Sequence, residues 1–201
     1  MLATRRTTLL LGAAALSFPA LADTPDPRLG ERVTGSASAP VTVTEFYSLT
    51  CQHCARFTAL VMPKIKSELI DTGKLRYVFS DFPLDRTALY AAMVARALPA
   101  DRYAPFCSAL LASQDRWAFN RQADPMVKLA EMAAMFGMPK ATFDSIVSDN
   151  AYRDAILGMQ AATIKDHKVD STPTFLFAGG KSAGKQVTGE QNFELFATAT
   201  A

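Results

Sequence analysis

The chain has 201 residues, of which 49% are hydrophobic and 20% are charged. This length suits one domain, or one domain with a large insertion, and the composition is that of a globular protein with enough apolar surface for a core. The formal net charge is +2, and it becomes zero when the first 22 residues, which contain two arginines and no acidic residue, are left out. A neutral chain without a basic cluster does not favour nucleic-acid binding, which requires cations opposite the phosphates. We therefore expect no nucleic-acid partner.

Residues 1–22 have the pattern of a cleavable signal peptide. Two arginines form a basic start, residues 9–18 form an apolar run, and residues 20–22 (Ala-Leu-Ala) match the small-x-small site of signal peptidase. The apolar run is shorter than the roughly 20 residues of a membrane-spanning helix. We therefore expect export to the periplasm, by the general secretory or the twin-arginine route, and a mature domain over residues 23–201.

The first elements of the mature chain predict a strand–helix–strand unit. β-branched and aromatic residues alternate over residues 41–47, which predicts a strand, and a shorter strand is expected near residues 32–34. A helix with a kink at Pro63 is predicted over residues 54–73, and a second strand follows over residues 75–79. Two strands joined by a helix over so short a distance predict a parallel pair.

The middle of the chain, about residues 84–168, is predicted to be a helical insertion. Apolar residues recur at helical spacing in five segments: 87–98, 102–114, 124–137, 139–148 and 150–166. The chain then returns to a strand over residues 173–179, followed by a short strand at 185–189 and a closing helix at 190–200. This order predicts an α/β fold, in which a small mixed sheet with flanking helices carries a large inserted helical subdomain.

Cys51 and Cys54 form a Cys-x-x-Cys pair within the stretch YSLTCQHC, and four kinds of site compete to explain it. A c-type haem requires histidine directly after the second cysteine, and Ala55 excludes it. Structural zinc requires two more ligands, and the sequence has no second close pair. A purely structural disulfide would close a loop too small to constrain the unfolded chain. The other residues that could bind zinc are Cys107, His53 and His167. A redox-active pair is the favoured interpretation of Cys51 and Cys54.

The position of the pair favours redox exchange. Cys51 comes where a predicted strand ends and a helix begins, so backbone N–H groups and the positive end of the helix dipole point at its sulfur. Together with the nearby His53, this position predicts a lowered pKa for Cys51 and a disulfide that is easily reduced. Cys54 lies one turn into the helix, where it is expected to be shielded and to act as the resolving thiol. In an exported chain such a pair is more commonly a disulfide than a zinc site.

The segments APVTVTEFYSLTCQHC and VDSTPTFLFAGG, together with their separation, resemble the DsbA-like family of thiol:disulfide oxidoreductases in the thioredoxin superfamily. The resemblance spans the mature chain, including the helical insertion, and implies a thioredoxin fold. It implies that Cys51 is the nucleophile and Cys54 its partner. It also implies that the Cys51–Cys54 disulfide carries the chemistry without a metal or another cofactor.

The resemblance also assigns residues around the pair. Thr172-Pro173 matches the family's cis-proline, which would lie beside the nucleophilic sulfur, and an ordinary trans turn is the alternative. Glu45 occupies the place of the family's buried acid, where it would have a raised pKa and shuttle the proton of the resolving thiol. A solvated strand residue is the alternative for Glu45. Gln52, where the family often has proline, is expected with Thr172 and Pro173 to contact substrate.

Two classes of function follow from this pattern. The first is an enzyme that donates its disulfide to reduced, unfolded exported proteins and, as the family implies, is reoxidised by a quinone-linked thiol oxidase in the membrane. A disulfide isomerase or reductase is the alternative within that class. Isomerases of this superfamily usually carry an N-terminal dimerisation segment, and residues 23–40 are too short for such a domain, which makes an isomerase the less favoured alternative. We expect a monomer. The second class is a non-enzymatic copper chaperone that binds the metal at Cys51 and Cys54.

Three further features are expected to be structural. Cys107 shares the apolar stripe of its predicted helix, which predicts a buried and inert thiol. His167 lies between two charged residues and is expected at the surface. Five methionines are expected to fill the core rather than bind copper, although they could line a groove for unfolded substrates: Met126, Met132, Met135, Met138 and Met159.

Overall fold

A five-stranded mixed sheet forms the frame of residues 26–201, the part of the chain that the computed structural model describes. The strands are β1 (Arg32–Thr34), β2 (Val41–Tyr47), β3 (Leu75–Asp81), β4 (Thr174–Gly179) and β5 (Gln186–Thr188). Their order across the sheet is β1-β3-β2-β4-β5, with β2 and β3 parallel and the other pairs antiparallel. The predicted signal peptide lies outside the described residues.

The helices fall into two groups. Those that pack on the sheet are α1 (Gln52–Leu60), α2 (Met62–Ile65) and α9 (Phe193–Ala199). Those that lie between β3 and β4 in the chain are α3 (Arg86–Ala97), α4 (Ala100–Ala112), α5 (Gln114–Trp117), α6 (Pro125–Met135), α7 (Lys140–Ser148) and α8 (Asn150–His167). The α/β class with a helical insertion is therefore as predicted. Within residues 26–201, no helix combines the length and the apolar character needed to cross a bilayer.

The helix after the Cys-x-x-Cys pair is broken rather than kinked. α1 ends at Leu60, α2 begins at Met62, and a π-helical turn (Lys66–Ile70) completes the segment. Pro63 has no backbone N–H to continue the hydrogen-bond ladder, so the helix restarts just before it. The aromatic ring of Phe57 in α1 packs on the sheet, 4.7 Å from the ring centroid of Phe175 in β4. This contact anchors α1, and with it the cysteine pair, to the sheet.

Strand β3 is two residues longer than predicted because its end is stabilised by the insertion. Asp81, the last residue of β3, is buried and accepts a hydrogen bond from the guanidinium of Arg96 in α3 at 2.5 Å. The hydroxyl of Tyr103 in α4 donates to the same carboxylate at 2.9 Å. In the sequence, polar residues after the apolar run of β3 indicated that the strand had ended. Here a buried ion pair provides the partners that allow the strand to continue.

Candidate active site

Cys51 is the N-cap residue of α1, directly beyond the carboxyl end of the central strand β2. The residue is only 6% exposed. The Cys51 Sγ accepts a hydrogen bond from the backbone N–H of Cys54 at 3.3 Å, and the Cys51 carbonyl accepts from the N–H of Ala55 at 3.0 Å. The sulfur therefore replaces the side-chain oxygen that usually caps a helix, and it faces the positive end of the helix dipole.

The Thr172-Pro173 segment lies against the same sulfur, although it is 121 residues away in the chain. The Cys51 Sγ is 3.4 Å from the Thr172 carbonyl oxygen, to which the thiol donates. The Thr172-Pro173 peptide bond is cis, as the resemblance implied. The antiparallel pairing of β4 with β2 brings the segment to this position, because Thr174 at the start of β4 pairs with Phe46 near the end of β2.

Hydrogen bonds to the Cys51 sulfur lower its pKa to about 5. The Cys54 thiol makes the largest contribution to this lowering, burial acts in the opposite direction, and the Thr172 hydroxyl adds a further lowering. That hydroxyl is buried and has no hydrogen-bond partner among the described residues in the thiol form, so it is available to a thiolate. The backbone N–H groups of Cys54 and His53 complete the set of donors. A thiolate at Cys51 is therefore favoured at neutral pH.

Cys54 and Glu45 form the buried side of the site. Cys54 is fully buried, and burial raises its pKa far above the ordinary value, with its hydrogen bond to Cys51 and the charge of Glu45 adding to the effect. Glu45 on β2 is also buried, and burial raises its pKa to about 8, while the hydrogen bond from Tyr77 acts in the opposite direction. The Tyr77 hydroxyl donates to Glu45 Oε2 at 2.8 Å, and Oε1 has no hydrogen-bond partner in residues 26–201. The solvated alternative for Glu45 is therefore wrong.

His53 and Gln52 lie on the solvent side of the pair. The side chain of His53 is 62% exposed, and its Nδ1 is 2.7 Å from Glu190 Oε1. Arg56 contacts the same carboxylate oxygen at 2.5 Å. The contact of His53 with the Cys51 sulfur is made by its backbone N–H, whereas the imidazole is engaged by Glu190. Gln52 is exposed beside the reactive cysteine, where a substrate could reach it.

The residues expected to be structural are Cys107, His167 and five methionines, and one of the methionines departs from the expectation. Cys107 in α4 is buried, and burial raises its pKa. His167 is exposed. Met138 is buried, but Met135 is 81% exposed and does not fill the core. The other three methionines are half-buried: Met126, Met132 and Met159. The described residues contain no cluster of His, Cys, Asp or Glu that could hold a metal ion.

Three residues at the site were not identified from the sequence. Tyr77 has the clearest signal, since the alternation of β3 places it on the same face as the core residues that neighbour Glu45. Glu190 contacts His53 from the loop after β5, and Gln114 of α5 reaches the active-site loop from the insertion. These two contacts join distant parts of the chain, and no local pattern indicates them.

The family of this chain follows from comparison with known proteins. A family model described as thioredoxin matches residues 28–195. The chain belongs to the thioredoxin family. Among solved structures, alpha-DsbA1 of Wolbachia pipientis is 30% identical and superposes with a TM-score of 0.77 over 86% of this chain and 89% of that one. The chain is thus a DsbA-like member of the family, and the predicted thioredoxin fold with a helical insertion is confirmed.

More distant relatives agree with this placement. BdbD of Bacillus subtilis, at 19% identity and a TM-score of 0.69 over 85% of this chain and 90% of that one, shares the fold. A protein of Rickettsia prowazekii, provisionally named as a protein-disulfide oxidoreductase, is 27% identical over 150 residues, which are 74% of this DsbA-like chain and 54% of the relative. The chain therefore spans about half the length of the first curated relatives that it matches.

Proposed function

We propose that this chain is an exported thiol:disulfide oxidoreductase that donates a Cys51–Cys54 disulfide to reduced cysteines of other exported proteins. The observation that carries the proposal is the contrast between the two sulfurs. Hydrogen bonds lower the pKa of Cys51 to about 5, whereas burial raises the pKa of Cys54. Cys51 therefore favours the thiolate form and Cys54 the protonated thiol. Disulfide exchange requires these two different roles, an attacking or leaving thiolate and a resolving thiol.

In the first step, a substrate thiolate attacks the Cys51 sulfur of the disulfide. A substrate–Cys51 disulfide bond forms, the Cys51–Cys54 bond breaks, and Cys54 leaves with the electron pair. In the second step, another substrate thiolate attacks the substrate sulfur of this mixed disulfide, and Cys51 leaves as a thiolate. The substrate has then lost two electrons to form a disulfide, and the protein has gained two electrons as one thiol and one thiolate.

Glu45 is proposed to supply the proton that Cys54 needs when it leaves. Burial raises the pKa of Glu45 to about 8, so this carboxyl group is protonated at neutral pH. A Cys54 thiolate would be far more basic, because burial raises its pKa strongly. Proton transfer from Glu45 to Cys54 is therefore downhill at the moment of the first step, and Tyr77, hydrogen bonded to Glu45, holds the carboxyl group in place.

The direction of electron flow follows from the same contrast. A thiolate at Cys51 stabilises the reduced protein, and a thiol of low pKa is a good leaving group in the second step. Both effects favour oxidation of the substrate over reduction. Cys51 Sγ lies beside the Thr172 carbonyl, so an extended substrate segment could pair with the backbone there as an added strand, and Gln52 and Pro173 would flank it.

The cellular setting proposed for this reaction follows from residues 1–22 and from the family. The signal-peptide pattern of those residues supports export to the periplasm. There the substrates would be reduced, unfolded exported proteins, and a quinone-linked thiol oxidase of the membrane would reoxidise the pair. We propose that the protein acts as a monomer and needs no metal or other cofactor.

A redox titration against glutathione, combined with trapping of mixed disulfides, tests the function. Cys54→Ser should accumulate mixed disulfides with a reduced, unfolded substrate protein, and Cys51→Ser should accumulate none. The titration should place the pair among oxidants rather than reductants. Equal trapping by the two variants would overturn the assignment of Cys51 as the nucleophile. Stoichiometric copper binding at Cys51 and Cys54 without dithiol oxidation would favour a copper chaperone instead.

A further inference from the structure

Gln114 connects the helical insertion to the loop that carries the reactive cysteine. It is the first residue of α5, its side chain is buried, and its amide Nε2 donates to two backbone carbonyls at once. These are the Leu49 carbonyl, at 2.8 Å, and the Cys51 carbonyl, at 3.1 Å. Because both partners are acceptors, the amide nitrogen must face them, which defines the orientation of the side chain.

The two carbonyls lie on either side of Thr50, so Gln114 spans the turn that enters α1. The insertion also holds the residue between them, since the Thr50 hydroxyl donates to Asp85 Oδ2, at the N-cap of α3, at 2.6 Å. Residues 48–51 are all buried, and Cys51 N–H donates to the Ser48 carbonyl at 3.1 Å. The turn is therefore held by side chains from the insertion as well as by its own backbone.

The conformation of this turn controls the donors at the Cys51 sulfur. Cys51 caps α1 only while its carbonyl accepts from Ala55 and its Sγ faces the Cys54 N–H. Gln114 shares that same carbonyl with Ala55. If Gln114 no longer held it, rotation of the Leu49–Cys51 turn would move the sulfur away from the N–H groups of the helix without unfolding the sheet or the insertion.

We propose that Gln114 is a positioning residue through which the helical insertion sets the reactivity of Cys51. Its amide holds the carbonyls on both sides of Thr50 and so keeps the Cys51 sulfur over the N-terminus of α1. The insertion then has a direct part in the redox chemistry, in addition to covering the site. This inference rests on the proposed role of Cys51 as the nucleophile, and the experiment below separates the two.

The test compares Gln114→Ala and Gln114→Glu with the unaltered protein. The alanine variant removes the hydrogen bonds from the amide to the Leu49 and Cys51 carbonyls. The glutamate variant keeps the shape of the side chain but places carboxylate oxygens against these two carbonyls. The pKa of Cys51, measured from the pH dependence of thiolate absorbance and of alkylation, should rise by about 0.5 to 1 in the alanine variant and further in the glutamate variant. The equilibrium constant for reduction of the pair by glutathione should fall about threefold to tenfold in the alanine variant.

Gln160 offers a matched control. Its amide also joins the insertion to a backbone carbonyl, that of Pro83, at 3.0 Å, but not within the turn that enters α1. Gln160→Ala and Gln160→Glu should leave the Cys51 pKa and the glutathione equilibrium unchanged. If these variants shifted both quantities as much as the Gln114 variants, the effect would be general loosening of the insertion, and the proposal would be overturned.

Stability measurements distinguish positioning from a merely structural role. Unfolding of the reduced and oxidised forms of Gln114→Ala should show a larger loss in the reduced form, because only that form contains the thiolate. An equal loss in both forms with an unchanged Cys51 pKa would overturn the proposal while leaving Cys51 as the nucleophile. Failure of the unaltered protein to show a low-pKa thiolate at Cys51 would instead overturn the proposed function.

Discussion

The region around Cys51 and the region around Cys107 are both closed to solvent, with 6% and 2% of each cysteine exposed, yet the two thiols differ in chemistry. Hydrogen bonds lower the pKa of Cys51 to about 5, whereas burial raises the pKa of Cys107. Cys51 caps a helix, and Cys107 lies in the interior of α4. The two thiols, whose pKa values shift in opposite directions, therefore also differ in their position along a helix.

This comparison teaches that exposure alone does not decide which buried thiol can react, and that the balance between hydrogen-bond donors and burial does. At the N-terminus of α1 the backbone N–H groups have no carbonyl partners within the helix, so they are available to sulfur. In the interior of α4 the N–H groups are used by the helix itself. The Cys107 sulfur does accept a hydrogen bond from the Tyr47 hydroxyl at 3.2 Å, but burial and the negative charge of Asp81 outweigh it and raise the pKa of Cys107.

The largest expected effect is in the rate of alkylation. In the folded, reduced protein at pH 7, Cys51 should react with iodoacetamide at least about a hundredfold faster than Cys107, because only the thiolate is nucleophilic. Mass spectrometry of peptides from a time course measures both rates in one sample. Cys107→Ala, as the control, should leave the rate at Cys51 unchanged. Comparable rates at the two cysteines would contradict the contrast drawn here.

The next effect is in stability as a function of redox state and pH. The pKa of Cys51 is lowered to about 5 in the folded protein from about 9, so thiolate formation stabilises the reduced form fully above pH 9. This contribution is lost as the pH falls from 9 through 5, and the oxidised form lacks it. The reduced form should therefore be more stable at pH 7 by a few kcal/mol, because each tenfold change in the acidity of a thiol corresponds to about 1.4 kcal/mol.

Denaturant unfolding of the reduced and oxidised forms at pH 5, 7 and 9 measures this difference. The gap in the free energy of unfolding should widen with rising pH. An oxidised form that is the more stable one at pH 7 would show that the disulfide is a structural link.

A smaller effect of opposite sign is expected from Glu45. Its pKa is raised to about 8 from 4.5, so the stability that the neutral carboxyl contributes is complete below pH 4.5 and is lost as the pH rises through 8. Glu45→Gln cannot ionise, and its free energy of unfolding should increase relative to that of the unaltered protein between pH 5 and 9. The oxidised form is used, so that Cys51 does not titrate.

Glu190→Gln is the control for this experiment, since that carboxylate pairs with His53 and Arg56 at the surface. Its stability relative to the unaltered protein should show little pH dependence over the same range. A Glu45→Gln variant with the same flat profile would mean that the Glu45 carboxyl is ionised throughout.

The smallest effect is expected from His53. Its backbone N–H contributes to the Cys51 thiolate, and that group remains in His53→Ala, while the imidazole is bound to Glu190. The pKa of Cys51 should therefore change by less than about 0.5. The thiolate absorbance at 240 nm, followed from pH 3 to 9, measures it. A rise of about 1 or more in the pKa of Cys51 would assign a direct electrostatic role to the imidazole. The imidazole of His53 would then contribute more to the low pKa than its backbone N–H.

The elements most local in character could be predicted from sequence, and the errors have tertiary causes. The alternation over residues 41–47 and the helical spacing that follows correctly predicted β2 and α1 around the cysteine pair. The end of β3 was placed two residues early because Asp81 depends on Arg96 for its burial. Met135 was expected in the core, but 81% of it is exposed, since apolar spacing alone does not show which helix face meets a neighbour.

The sequence by itself determined that a cysteine would stand where a strand meets a helix, because both periodicities are local and end at the same point. Unpaired backbone N–H groups at the start of the helix follow from that local geometry. Only the tertiary structure decided the rest of the site. Thr172 and Gln114 reach the Cys51 segment across 121 and 63 residues, and Glu45 is buried only because β2 lies at the centre of the sheet. Contacts of this kind arise from the packing of whole elements, and no short stretch of sequence contains them.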